Sequence, residues 1–341
     1  MGITALQADE NKAEYQVIKG EIKGAKFMIA VPKHWNNNLL MLAHGYIPPG
    51  APLTADFPIE KSFYQHLLSK GWMIAYSSFR RSGVIIKDAV EDMNLLRSHI
   101  IAQFKEPEKI IVLGTSTGAA VGTLIAETHP NDYDAVLNLG ADLFKRTPEE
   151  TVTFNYNPKI PILFLGNQNE LQSPEKYIKQ AAGASIPPIL WYVSRDGHVN
   201  ISELEKEGAF YALESIIATG RQLRNNHDAT IRTGAMESKA VFKDGGAYAK
   251  VKSIHPAFGN LETEFIEKDL NALGIVKKTS FQLIFKNKTF KVFYGTAYSD
   301  VPKGEWIALL TADGTIEIAR NFKNAGDTLG CKKGDTLFIK K

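Results

Sequence analysis

Ser116 is the residue in this sequence best placed to do chemistry. It stands in Ile110-Ile111-Val112-Leu113-Gly114-Thr115-Ser116-Thr117-Gly118-Ala119-Ala120-Val121-Gly122. Four apolar residues, three of them β-branched, run into Gly-x-Ser-x-Gly, and small residues at helical spacing follow. The pattern reads as strand, sharp turn and helix, a nucleophile elbow with the serine at its apex. The two glycines answer a steric need, because a Cβ at Gly114 or Gly118 is expected to collide with a neighbouring strand or helix. The chemistry is covalent: a serine hydroxyl attacks an electrophile once a base removes its proton.

The elements around the elbow are legible as alternating strands and helices. Residues 14–31 alternate, with Gly20 and Gly24 between the halves, which suggests a leading antiparallel hairpin ended by Pro32. Residues 39–43 are a short, wholly apolar strand of the kind buried in a parallel sheet, and they run into His44-Gly45-Tyr46. Pro48-Pro49-Gly50-Ala51-Pro52 is an irregular loop expected to border the site. Helices are predicted over 63–70, closed by Gly71, and over 88–102, with strands over 72–76 and 110–113. Beyond the elbow come strands at 135–139, 160–165 and 188–193, an excursion over 141–157, and a helix over 174–182. Ser202, with Glu205 three residues on, opens a further helix as a capping box, and Gly220 ends it. Alternating βα units imply a parallel sheet.

From 221 to 246 the pattern weakens into a connector, and a boundary falls near 235–247, dividing the chain into domains 1–235 and 236–341. Short strands with turn signals follow at 281–285, 290–294, 306–310, 315–318 and 336–339, the pattern of a small all-β barrel or sandwich.

Composition bounds the rest. At 341 residues and 44% hydrophobic content the chain suits two packed domains. Lys+Arg of 40 against Asp+Glu of 37 leaves +3, spread along the chain, which gives no support to nucleic-acid binding. Cys331 stands alone and reads as a buried thiol, and no Cys/His cluster has metal-ligand spacing, so no disulfide framework, metal or cofactor is expected. No run approaches the length of a membrane span, and the polar start 1–12 has no signal-peptide core. A soluble protein is expected, cytoplasmic or exported after loss of a signal segment.

With the elbow and His44-Gly45-Tyr46 in place, residues 14–220 or so resemble the serine esterases of the α/β-hydrolase superfamily. The resemblance implies a mostly parallel sheet flanked by helices, and a nucleophile, acid and histidine in that chain order. It places the base on the loop after the last strand, in Ser194-Arg195-Asp196-Gly197-His198-Val199-Asn200, so His198 is the candidate. The family's acid follows the strand ending at Leu165, in Gly166-Asn167-Gln168-Asn169-Glu170-Leu171. The commonest spacing falls on Asn169, whose amide cannot stabilise an imidazolium as a carboxylate does. Glu170, one position on, is therefore the leading candidate, and Asp142 after the preceding strand is the runner-up. The resemblance also implies an oxyanion hole from the backbone N–H groups of Tyr46 and Thr117, and a structural role for His44.

A second resemblance lies further on. Phe258-Gly259-Asn260-Leu261-Glu262-Thr263, Gly304-Glu305-Trp306-Ile307, Asp313-Gly314-Thr315-Ile316-Glu317-Ile318-Ala319-Arg320-Asn321 and Lys333-Gly334-Asp335 look like the C-terminal β domain of the S-adenosylmethionine hydroxide adenosyltransferase and halogenase family, over residues 247–341. In that family the Phe-Gly-Asn turn and an arginine like Arg320 help hold an adenosyl group. Two functions stand side by side. The first is a serine carboxylester hydrolase acting through an acyl-enzyme on a small or medium ester. The second is a catalytically silent hydrolase scaffold whose C-terminal domain binds a nucleoside or a protein. The expected partner of the first is a small-molecule ester, and self-association through the C-terminal domain stays open.

Overall fold

The computed structural model describes residues 14–144, 152–221, 223–232, 234, 236–256 and 258–341. The polar start and the middle of the excursion after residue 144 lie outside the described residues. The chain divides into two compact units between Ile231 and Arg232.

Among the described residues the first unit holds nine strands: β1 (Tyr15–Ile22), β2 (Ala25–Pro32), β3 (Asn38–Ala43), β4 (Met73–Ser77), β5 (Lys109–Thr115), β6 (Ala135–Leu139), β7 (Ile162–Asn167), β8 (Ile189–Val193) and β9 (His227–Asp228). The helices α1 (Ser62–Ser69), α2 (Ile86–Gln103), α3 (Gly118–Thr128), α4 (Gln172–Gln180) and α5 (Glu203–Thr219) lie between some of these strands. The sheet order is β1-β2-β4-β3-β5-β6-β7-β8-β9. β1 and β2 form an antiparallel hairpin whose two-residue turn, Lys23-Gly24, has φ +48 and +88, the conformation that matches the twist of the flanking strands. β2 is antiparallel to β4, and every pairing from β4 through β9 is parallel. This is the α/β-hydrolase fold.

The wholly apolar central strands follow from burial on both faces. Leu39 and Met41 of β3, with Ile110 and Val112 of β5, point to one face, where Met93 and Leu96 of α2 and Val121 of α3 cover them. Leu40, Leu42, Ile111 and Leu113 point to the other, under Leu67 of α1 and Phe210 and Leu213 of α5. The capping box forms: Ser202 N–H donates to Glu205 Oε2 at 2.8 Å and Glu205 N–H to Ser202 Oγ at 3.3 Å.

The stretch expected to be a bare connector is partly structured. Asn226 N–H donates to Leu190 O at 2.8 Å, and His227 and Asp228 pair with Trp191 and Tyr192, so the chain adds β9 before leaving the first unit.

The second unit contains β10 (Val241–Lys243), β11 (Gly246–Ile254), β12 (Leu261–Ile266), α6 (Glu267–Ala272), β13 (Ser280–Phe285), β14 (Lys288–Tyr294), β15 (Trp306–Leu310), β16 (Thr315–Arg320), α7 (Ala325–Leu329) and β17 (Thr336–Lys340). Seven strands close in the order β11-β12-β16-β15-β14-β13-β17, with β17 returning to pair with β11, while β10 pairs outside the ring. Closure makes this a barrel and leaves its seven strands no open edge. Phe265, Leu283, Val292, Ile318 and Leu337 fill the interior. Cys331 is buried there, and burial pushes its thiol pKa up. Among the described residues no helix is long and apolar enough to cross a membrane, and no group of His, Cys, Asp and Glu is arranged to hold a metal ion.

Candidate functional site

Three loops at the carboxyl ends of parallel strands bring the candidate residues together, the edge where open α/β sheets present their sites. Ser116 follows β5, Glu170 follows β7 and His198 follows β8.

Ser116 takes φ +55, a left-handed conformation that costs a non-glycine residue on the order of 1–3 kcal/mol. The packing of the turn holds it there. A Cβ on Gly118 would lie 2.1 Å from Ala43 O and 2.5 Å from His44 O, and one on Gly114 would lie 2.6 Å from Gly118 O and 2.8 Å from Ala119 Cα. Both glycines are thus required by contact with backbone. Ser116 O accepts from Ala119 N–H and from Asp142 N–H, each at 3.1 Å, which ties the turn to α3 and to the segment after β6.

The Ser116 hydroxyl lies 2.9 Å from His198 Nε2, and His198 Nδ1 lies 2.6 Å from Glu170 Oε2. With the ring proton on Nδ1, the imidazole donates to the carboxylate and leaves Nε2 to accept from the serine. The Glu170 side chain is 13% exposed against 40% for His198, so the carboxylate sits on the drier side of the pair, where its charge acts through less water. Asp142 meets the elbow through its backbone N–H, and the described hydrogen bonds of His198 go to Ser116 and Glu170.

Glu170 is itself fixed. Its Oε1 accepts from Asn167 N–H at 2.9 Å and Val199 N–H at 3.2 Å. A Cβ on Gly140 would come within 2.6 Å of Val199 Cγ2 and 3.0 Å of Glu170 Oε1, so the glycine after β6 makes room for both. Asn169, at the commonest acid spacing, accepts from Gly197 N–H at 2.9 Å. Arg195 donates to Asn200 O at 3.2 Å and forms a two-point ion pair with the buried Glu205, which also accepts from Ile231 N–H at 2.8 Å. Sequence reasoning passes over these supports. The signal for them is the run Asn167-Gln168-Asn169, three amides able to serve irregular backbone.

His44 and Gly45 line the opposite side of the elbow. A Cβ on Gly45 would touch Ser116 Cβ at 3.2 Å and lie 3.8 Å from its Oγ, which brings the chain leading to Tyr46 against the serine. The His44 ring packs on Phe79 and Tyr76, with Nδ1 2.6 Å from Gly45 O and Nε2 3.2 Å from Ser78 O. Burial lowers its pKa below the ordinary 6.5, outweighing the two carbonyls that favour the charged form. The unfolded chain binds a proton near pH 6.5 that the folded ring resists, so stability is fully present above that value and is lost as pH falls below it. Burial of His99 acts in the same direction. Between about pH 8 and pH 5 the melting temperature is expected to fall, and to fall less steeply in His44→Gln. Equal slopes in thermal melts of the two proteins would remove His44 from the account.

In the second unit, Phe258, Gly259 and Asn260 form one turn, with Gly259 at φ +69 and the Phe258 ring 4.8 Å from that of His255. Asn260 Nδ2 donates to Tyr298 Oη at 3.0 Å and Glu317 Oε1 at 3.2 Å. Arg320 donates to Gly304 O through Nε and Nη2, at 2.9 and 2.6 Å, and to Thr328 Oγ1 through Nη1 at 2.9 Å, with its guanidinium 5.4 Å from the Trp306 ring. The polar ends of Asn260 and Arg320 are thus engaged within the barrel.

Residues 250–338, about a quarter of the chain, match the family described as the SAM hydroxide adenosyltransferase C-terminal domain. No curated protein matches the chain in sequence. Among solved structures the chain is similar to an uncharacterized conserved protein from Thermotoga maritima, at 24% identity and TM-score 0.29, over 39% of this chain and 50% of that one. It is similar to an acylaminoacyl peptidase from Pyrococcus horikoshii, at 12% identity and TM-score 0.47, over 60% of this chain and 42% of that one. A dienelactone hydrolase from Anabaena variabilis aligns at 14% identity and TM-score 0.43, over 60% of this chain and 99% of that one. The chain therefore spans half or less of the length of the first two. Residues 250–338 of the second unit match that C-terminal domain family, and the α/β-hydrolase fold of the first unit is read from its own sheet order.

Proposed function

We propose that the protein is a serine hydrolase that cleaves a small or medium carboxylic ester through an acyl-enzyme. The observation that carries this reading is the hydrogen-bonded series Ser116 Oγ, His198 Nε2, His198 Nδ1, Glu170 Oε2, with spacings of 2.9 and 2.6 Å and the serine held at φ +55. Attack of Ser116 Oγ on the ester carbonyl passes the hydroxyl proton to Nε2 of His198, and Glu170 stabilises the imidazolium. The oxyanion that forms is assigned to the backbone N–H groups of Thr117 and Tyr46. Collapse expels the alcohol with the proton from His198, and water repeats the sequence to release the acid.

A series of p-nitrophenyl esters of increasing acyl length tests the reading and sizes the acyl pocket together. Hydrolysis of the shorter members and covalent labelling of Ser116 by a fluorophosphonate are the expected results. A protein that neither hydrolyses any of these esters nor takes the label would be a silent scaffold.

A further inference from the structure

The N–H groups on either side of His198 are taken up by side chains. Gly197 has φ +146 and Val199, a β-branched residue, has φ +54, so the chain on either side of the histidine is neither strand nor helix and offers its N–H groups no ladder. Side chains from the loop after β7 take them up. Asn169 Oδ1 accepts from Gly197 N–H at 2.9 Å, and Glu170 Oε1 accepts from Val199 N–H at 3.2 Å, one residue to each side of His198. Below them Asn167, fully buried, closes the neck of the loop. Its Oδ1 accepts from Asn200 N–H at 2.8 Å, and its Nδ2 donates to Asn200 O at 3.0 Å and Arg195 O at 3.3 Å. The neck is held from the core, and one side of the apex by the carboxylate that the imidazole itself uses. Asn169 holds the other side.

We propose that Asn169 is a positioning residue for His198: its amide oxygen fixes the Gly197 N–H and so aims the imidazole at Glu170 and Ser116, without touching a reacting atom. Its consequence for turnover rests on the serine-hydrolase reading above. An amide suits the task because it accepts a hydrogen bond while adding no second negative charge beside Glu170.

Asn169 is exposed, so its replacement is expected to leave the fold intact, which a thermal melt checks. Two readouts decide the proposal, and the first needs no catalysis. In wild type the proton on His198 Nδ1, bound to Glu170, is expected to give a far-downfield proton resonance. Asn169→Ala should broaden or abolish it. For ester hydrolysis, Asn169→Ala should lower kcat about ten- to hundredfold with KM within about twofold, and the loss should nearly vanish in a Glu170→Gln background, because the two act through one histidine. An Asn169→Ala protein with the wild-type resonance overturns the proposal, as does the absence of that resonance from wild type. A wild type that shows the resonance but hydrolyses no ester defeats the hydrolase reading, and loss of the resonance in Asn169→Ala would still uphold the positioning role.

Discussion

Ser116→Ala and His198→Ala are each expected to lower kcat/KM for ester hydrolysis by about a thousandfold or more, and the double variant to be little worse than either. The non-additivity is the informative part. Ser116 Oγ and His198 Nε2 are 2.9 Å apart, so loss of the base leaves the hydroxyl protonated, and loss of the hydroxyl leaves the base with nothing to activate. Residual rate over water would come from the donors assigned to the oxyanion and from binding. Neither change removes buried apolar contact: the site lies on loops above the sheet, and the Ser116 turn is fixed by its glycines. Release of p-nitrophenolate gives the rates, and the mass shift from a fluorophosphonate reports the nucleophile, which should vanish in Ser116→Ala. Retention of a tenth or more of the wild-type rate by either variant would remove that residue from the mechanism.

The elements around this site differ in how far the sequence discloses them. β5 and its elbow are legible because two requirements coincide in adjacent residues: burial on both faces makes the strand continuously apolar, and close backbone contact excludes a Cβ at Gly114 and Gly118. His198 is legible by its place between a strand and a capped helix. β9 is not, since His227 and Asp228 are polar and owe their conformation to Trp191 and Tyr192, far away in sequence. β11 and β12 escape for another reason. Their buried positions alternate, but Ala247, Ala249 and Thr263 among them are small or polar, which weakens the apolar signal by which a strand is read. The carboxylate partner of His198 is the least legible feature of the site. Spacing alone leaves Asn169, Glu170 and Asp142 in contention, and the choice depends on where two loops meet. The contacts that decide it, Asn169 to Gly197 and Glu170 to Val199, join residues 28 and 29 positions apart.

The carboxylate itself can be tested with one atom exchanged. Glu170→Gln is expected to lower kcat about a hundred- to ten-thousandfold with the fold intact, and Asp142→Asn to change it by less than about threefold. A glutamine can still present an oxygen to Asn167 N–H and Val199 N–H, the two bonds that Glu170 Oε1 makes at 2.9 and 3.2 Å, so the loops should keep their places. That orientation turns the NH₂ group toward His198 Nδ1, where only an acceptor serves the active tautomer, and the flipped orientation offers the imidazolium an uncharged oxygen while turning a donor on the two backbone N–H groups. Both settings lose the charge that stabilises the protonated ring. Asp142 meets the elbow through its main chain, donating to Ser116 O at 3.1 Å, and the Asp142→Asn variant would keep that bond. Circular dichroism and melting establish that both variants fold, after which the kcat ratio separates the two acids. A Glu170→Gln enzyme as fast as wild type beside a crippled Asp142→Asn would transfer the role to Asp142.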